Sequence, residues 1–349
     1  MVNTNAKYRL SGRNRTKILL LTIFLLTALL FSLDIILGSV TIKLKDIFDV
    51  LLNKSDSEIY SVIVKFRIPK AITALLVGVS LSVSGLQMQT IFRNPMAGPY
   101  VLGISSGASL GVAVLILGFS DYFTAKSLEL LGNWSLAAAS WAGAGIVMVI
   151  IMLISIKIKD ILAILILGIM LSGGISSIVS IMQYFSSETM LKSYVIWTMG
   201  SLGNVSSEQL EVMALCIAAG LIISLFSLKM LNAILLGETY AETLGVNIKK
   251  ARILVFVSTS LLAGTVTAFC GPVGFIGIAV PHIARMIFKT SDHRVLLPSV
   301  IFAGASLMLI SDIISQLPGS ERVLPVNAVT SLIGIPVVIW VILKTRKYA

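Results

Sequence analysis

The side chains of this chain that could do chemistry are few and far apart. The two histidines are His282 and His293, and the two cysteines, Cys216 and Cys270, lie in separate apolar runs. A zinc hydrolase needs clustered ligands, as in H-E-x-x-H, and a disulfide framework or thiolate site needs cysteines at short spacing. Neither pattern occurs, so no metal site is expected. Cys216 and Cys270 read as small packing residues, His282 between Pro281 and Arg285 as a hydrogen-bonded structural residue, and Met88 and Met96 as flexible gap fillers.

A secondary transporter carries its driving ion on ionisable groups or unwound helices inside the bilayer, where charge is expensive enough to be functional by default. Here Asp34 and Asp312 fall near the outer ends of apolar segments and His282 near an inner end, so no proton relay crosses the midplane. The phosphate-cradling G-x-x-x-x-G-K-[ST] loop is also missing. The chain is therefore expected to be a transport subunit and not an enzyme. If ATP drives it, a partner subunit binds the ATP and magnesium, and this chain holds no cofactor.

Two segments suggest contact chemistry. Between Lys229 and Lys250 lies a loop with too many apolar residues to be comfortable in water, Leu236-Gly237-Glu238 followed by Ala241, Leu244 and Gly245. A short amphipathic helix between Gly237 and Gly245 would give a cytoplasmic partner a knob to hold; the alternative is a loop packed on its own bundle. In Asn94-Pro95-Met96-Ala97-Gly98-Pro99 two prolines force the chain out of helical geometry, because the residue before a proline is pushed from the α region. Irregular backbone at membrane depth is tolerated only against protein or a cavity, so Asn94, Pro95 and Met96 are expected to border the inner mouth of a pathway.

The elements that position these residues follow from composition. Of 349 residues, 56% are hydrophobic and only 12% charged, against roughly 25% charged in a soluble domain. At about 20 apolar residues per crossing the chain has room for about ten helices. They are expected near 18–37, 71–92, 100–119, 134–156, 161–184, 210–228, 251–270, 272–288, 295–317 and 324–343. The fold class is thus all-α, a polytopic membrane protein with residues 1–349 as a single transmembrane domain. The first apolar run follows Lys7, Arg9, Arg13, Arg15 and Lys17 but lacks a small-residue cleavage site, and reads as a retained helix after a basic cytoplasmic segment, 1–17. Lys and Arg also gather at 157–159, 229–252, 285–294 and 344–347, which puts those loops and both termini in the cytoplasm of an inner-membrane protein. The net charge of +11 is then topological, and no aromatic-interleaved basic patch supports nucleic-acid binding. Gly271-Pro272 predicts a tight turn and a short following crossing. Thr41 to Tyr60 reads as an interfacial helix or a solvated connector, and Ser186 to Ser207 as a short re-entrant or interfacial helix anchored by Trp197. Gly103, Gly107 and Gly111, at four-residue spacing, predict close helix packing.

From about Arg67 to the carboxyl end the chain resembles a known family, the FecCD/BtuC-like permeases of binding-protein-dependent ATP-binding-cassette importers for iron siderophores, haem and cobalamin. The likeness rests on Arg67-Ile68-Pro69-Lys70, on Ser84-Gly85-Leu86-Gln87-Met88-Gln89 leading to Asn94-Pro95-Met96-Ala97-Gly98-Pro99, and on Leu102-Gly103-Ile104-Ser105-Ser106-Gly107-Ala108. It continues in Leu236-Gly237-Glu238, in Gly271-Pro272-Val273-Gly274-Phe275-Ile276-Gly277 with Pro281-His282-Ile283-Ala284-Arg285, and in Asp292-His293-Arg294. The resemblance implies a type II importer fold and a homodimer with its pathway on the two-fold axis. It further implies two cytoplasmic ATPase subunits and a periplasmic or lipoprotein substrate-binding protein. It makes Arg67 and Lys70 the cations that dock the binding protein and the 229–250 loop the contact for the ATPase. Two positions depart from the pattern. Gln316 stands where the family usually has Arg, with Arg322 as a candidate replacement charge, and Asn327 stands where it has Gly. The cargo expected is an iron(III) chelate, with cobalamin or haem as the alternative. An ion-coupled secondary transporter and an intramembrane enzyme are the competing classes.

Overall fold

The computed structural model describes residues 3–38, 58–118, 125–158, 160–316 and 323–345, and it is helical, with no strand among the described residues. In chain order the helices are α1 (Asn3–Ile36), α2 (Glu58–Val62), α3 (Ile68–Ile91), α4 (Ile104–Ile116), α5 (Ala125–Lys157), α6 (Ile161–Phe185) and α7 (Glu188–Thr198). They continue with α8 (Ser207–Ile234), α9 (Glu238–Thr243), α10 (Ile248–Thr259), α11 (Thr265–Cys270), α12 (Ile276–Phe288), α13 (His293–Ser315) and α14 (Val326–Thr345). Single π turns, Ile63–Arg67 and Ser260–Gly264, join α2 to α3 and α10 to α11.

Seven helical stretches are long and apolar enough to cross a membrane: Asn14–Ile36, Tyr60–Ile91, Trp134–Lys157, Ile161–Phe185, Ser207–Ile234, Ile248–Cys270 and His293–Ser315. Three shorter apolar helices, Ile104–Ile116, Ile276–Phe288 and Val326–Trp340, fall on the remaining three segments expected to cross. The protein is a polytopic membrane protein. The interfacial segment expected at Thr41 to Tyr60 lies mostly outside the described residues, whereas the one expected at Ser186 to Ser207 contains α7.

α3 is the central post, with most of its residues buried, while α1, α6 and α8 keep broad apolar faces exposed, as lipid-facing helices do. Lipid supplies no hydrophobic drive between helices, so backbones approach at small residues. A Cβ on Gly85 would lie 1.8 Å from the Gly277 carbonyl oxygen, and one on Gly304 would lie 2.0 Å from Ser82 Oγ. The glycine row of α4 does the same against α5: Gly107 faces Gly143 and Gly111 faces Ala139. Gly103 has a separate reason. It sits at φ 74°, the left-handed turn between the 3-10 turn Pro99–Leu102 and α4.

The connection after α11 is more than a surface turn. Gly277, in the first turn of α12, packs against Leu81 and Gly85 of α3. At 1.5 Å per residue Leu81 stands about 20 Å along α3 from Ile68, so the chain re-enters the bundle before α12 begins. Gly271 at φ 74° and Phe275 at φ 64° make that path. The exposed backbone is partly satisfied by Asn327, whose Oδ1 accepts the Gly274 N–H at 3.0 Å. The asparagine standing in place of the family glycine thus caps the re-entrant segment and ties α14 to it.

Candidate functional site

The functional candidates collect at the two ends of the bundle. At the end shared by α7, the start of α3 and the close of α13, the R-x-P-K motif sits across the π turn into α3. Pro69 is the second residue of α3 and lies just after the π turn, inside the continuous helical stretch Tyr60–Ile91. Arg67 donates from Nη1 to the carbonyls of Ile35 and Ile36 at 2.8 and 2.9 Å, capping the last turn of α1. Lys70 pairs with Asp312 at 3.0 Å, the lysine side chain 22% exposed and the aspartate 1%. Gln316 Nε2 reaches both Asp34 (3.1 Å) and Asp312 (3.0 Å). Gln316 therefore bridges two buried acidic side chains, Asp34 of α1 and Asp312 of α13. Arg67 and Lys70 are brought together, but they also serve the fold. Beside them is a depression of about 270 Å³ lined by Lys65, Phe66, Pro69, Lys70 and residues 202–206, in which Lys65 and Phe66 are exposed. Lys65 escaped sequence reasoning because it lies outside the motif. Arg322 lies outside the described residues.

At the opposite end the chain leaves α3 after Ile91 and turns through Arg93 at φ 44°. Asn94 Oδ1 accepts the Met96 N–H at 2.9 Å, a side-chain turn that sets up the two-proline segment. His282 Nε2 contacts the Pro95 carbonyl at 2.7 Å; since a carbonyl only accepts, the ring donates. Arg285 donates to Gln89 Oε1, and Gln89 Nε2 to the Ile278 carbonyl, so α12 holds this segment in place. Asn94 is half-buried, while Pro95 and Met96 are exposed.

The same end carries α9. Gly237 at φ 121° reverses the chain after α8, and Gly245 at φ 81° releases it. Ala241 is fully buried against the bundle, whereas Leu236, Tyr240 and Leu244, four residues apart, are 65%, 54% and 57% exposed. Glu238 is turned inward too: both its oxygens accept from Arg252 at 3.1 Å, and Arg252 also donates to the Ile158 carbonyl at the close of α5. Arg93 Nη2 reaches the Ile234 carbonyl at 3.3 Å, joining the two candidate segments directly. Tyr240, Arg252 and Arg93 were missed in the sequence; the four-residue spacing of Leu236, Tyr240 and Leu244 was the available signal for the first, but in so short a helix it does not decide the free face.

Asp292 caps α13 through the Arg294 N–H and takes an amide bond from Asn232 at 2.7 Å. Slight burial works against its charged form, but these donors and the neighbouring Arg294 and His293 hold the carboxyl below its ordinary value. Among the described residues no three His, Cys, Asp or Glu side chains gather where they could hold a metal.

On the side face, α4, α6 and α7 border a cleft of about 270 Å³ lined by five serines (105, 106, 109, 176 and 180), Gln183 and Tyr194, with Ile175 and Val179 at its back. Around it α6 exposes Gly173, Gly174, Ser176, Ser177 and Ser180 beside the exposed Ile178 and Ile181, while α8 exposes Leu215, Ile222, Leu225 and Phe226.

Comparison with known proteins agrees with this architecture. The vitamin B12 import system permease protein BtuC of Shigella boydii is 35% identical over 331 residues, covering 95% of each chain. The hemin transport system permease protein HmuU of Yersinia pestis is 32% identical over 340 residues, covering 97% of this chain and 99% of that one. A solved inward-facing ABC transporter of metal-chelate type matches with a TM-score of 0.78 at 29% identity, covering 93% of this chain and 99% of that one. The model of the FecCD transport family matches residues 23–344, and the chain belongs to that family.

Proposed function

We propose that this ABC importer permease works as a homodimer in the cytoplasmic membrane, takes an iron(III) chelate from a binding protein, and is driven by two ATPase subunits seated on α9. The observation that carries the reading is the apolar row Leu236, Tyr240 and Leu244, exposed on a short helix that is itself braced by Ala241 and the Glu238–Arg252 pair. Exposed apolar residues on a rigid mount suit a partner's groove. Leu236, Gly237, Glu238, Ala241, Leu244 and Gly245 divide accordingly: the leucines make contact, the glycines turn the chain, and Glu238 and Ala241 hold the helix.

The serine-lined cleft supports a pathway between two copies. A row of glycine and serine on α6 gains nothing from lipid, but it suits a wet conduit whose walls bind cargo weakly. The cargo assignment follows the metal-chelate type of the structural match; cobalamin is the second reading, favoured by the BtuC relative, and haem is the third, favoured by the HmuU relative.

Tyr240→Glu and Leu244→Glu should each stop the ATPase subunit from co-purifying with the permease while leaving its abundance unchanged. Retained co-purification sinks the α9 reading. For the cargo, uptake of radiolabelled ferric siderophore should exceed that of cyanocobalamin and haem in the same cells; the reverse order replaces the iron chelate with the better-transported compound.

A further inference from the structure

His293 occupies the first turn of α13 and is 1% exposed. Its backbone N–H donates to Asn232 Oδ1 at 2.9 Å, which fixes that atom as oxygen, since an N–H cannot donate to an amide NH₂. The ring Nδ1 lies 2.7 Å from the same oxygen and must therefore carry a proton. Asn232 Nδ2 is left to donate to Asp292. In the neutral ring Nε2 then has only a lone pair, and it stands 2.8 Å from Thr90 Oγ1. The single Thr90 hydroxyl proton has two acceptors, this nitrogen and the Leu86 carbonyl at 2.9 Å on its own helix.

The ring thus bridges two helix ends distant in sequence. Thr90 is one residue from the end of α3 and four before Asn94; Asn232 is two residues from the end of α8 and six before Glu238. We propose that His293 is a positioning residue that links the end of α8, which carries α9, to the end of α3, which carries Asn94–Met96, so that displacement of α9 moves that segment. The proposal rests on the roles given above to α9 and to Asn94–Met96. The geometry suits a relay because the ring is buried, its bond to Thr90 is buried and that to Asn232 partly so, and an unmade bond there leaves a costly orphan. The Arg93 bond to the Ile234 carbonyl runs parallel to it at the surface.

The test uses the permease co-purified with its ATPase, with Cys216 and Cys270 replaced by Ala and a single cysteine introduced by Met96→Cys, since Met96 is exposed. Its rate of reaction with a polar maleimide is compared without nucleotide and with ATP plus vanadate. In the parent the two rates should differ by about fivefold or more, the range of ordinary coupling between sites. Thr90→Val keeps the shape of the side chain and removes the hydroxyl; it should bring the ratio close to one while ATP hydrolysis continues. Thr90→Ser should restore the ratio, which a merely structural loss would not predict. Asn232→Ala cuts the other bond of the ring and serves as the second variant if Thr90→Val fails to accumulate. A ratio within twofold of the parent in Thr90→Val or Asn232→Ala, with hydrolysis intact, overturns the relay. A parent with no nucleotide dependence overturns it as well, because there is then no movement to carry. Loss of ATPase co-purification in Tyr240→Glu together with a parental ratio in Thr90→Val would leave the α9 reading standing and remove only the relay.

Discussion

At the scale of single residues, the departures from the family pattern show how far the sequence could be read. Gln316 and Asn327 were visible as departures, but their effects depend on partners almost 300 residues and about 50 residues away, Asp34 and Gly274. No local pattern encodes such meetings. Removing a charge can be tolerated when an amide still satisfies the buried oxygens, and Gln316 does so for two carboxylates. Glycines were easier to find than to rank. Gly85→Ala would press a methyl into the Gly277 backbone, and overpacking of this kind costs roughly 1–3 kcal/mol. Gly145 has nothing within 4 Å of its would-be Cβ. In detergent, Gly85→Ala should unfold at a clearly lower temperature than the parent and Gly145→Ala should match it; equal melting of the two variants would show that the α3–α12 contact is loose.

At the scale of elements, every apolar segment expected to cross appears as an apolar helix, because hydropathy over 20 residues is a strong signal. The helix expected between Gly237 and Gly245 is there, but which of its faces would be free was not legible. Six residues give too little periodicity to separate Ala241, buried, from Tyr240, exposed. The re-entrant start of α12 was hidden for a different reason: Gly271-Pro272 announces a break, but only the contact of Gly277 with Leu81 and Gly85 sets its depth. The glycine and serine row within the otherwise apolar exposed surface of α6 belongs to this scale. If the serine face of α6 lines a wet pathway, Ser176→Cys and Ser180→Cys should react with a membrane-impermeant maleimide in intact membranes, while Leu215→Cys on the apolar face of α8 should not. Equal protection of all three positions would place the α6 face in lipid or in a dry interface.

At the scale of the whole molecule the proposed docking face raises a question of double duty. Arg67 and Lys70 are the motif cations, yet the first caps α1 and the second neutralises a buried aspartate. Replacing Lys70 leaves Asp312 without its cation, and breaking a buried pair from one side costs roughly 3–5 kcal/mol. Reversing Arg67 and Lys70 to Glu should therefore lower both binding-protein docking and the amount of folded permease, so loss of uptake alone does not measure docking. Lys65 separates the two effects. It is exposed, lies in the same depression, and has no ion pair among the described residues. Like-charge juxtaposition at an interface can cost several kcal/mol, and rim charges act mainly on the association rate and its salt dependence. Lys65→Glu should thus slow docking of the binding protein and flatten its dependence on ionic strength, with permease abundance and melting unchanged. Raising salt should weaken docking of the parent over the same range, since screening within about 10 Å at 0.1 M removes the attraction that Lys65 supplies. A Lys65→Glu permease that docks its binding protein at the parental rate at low salt would move the docking surface away from the start of α3.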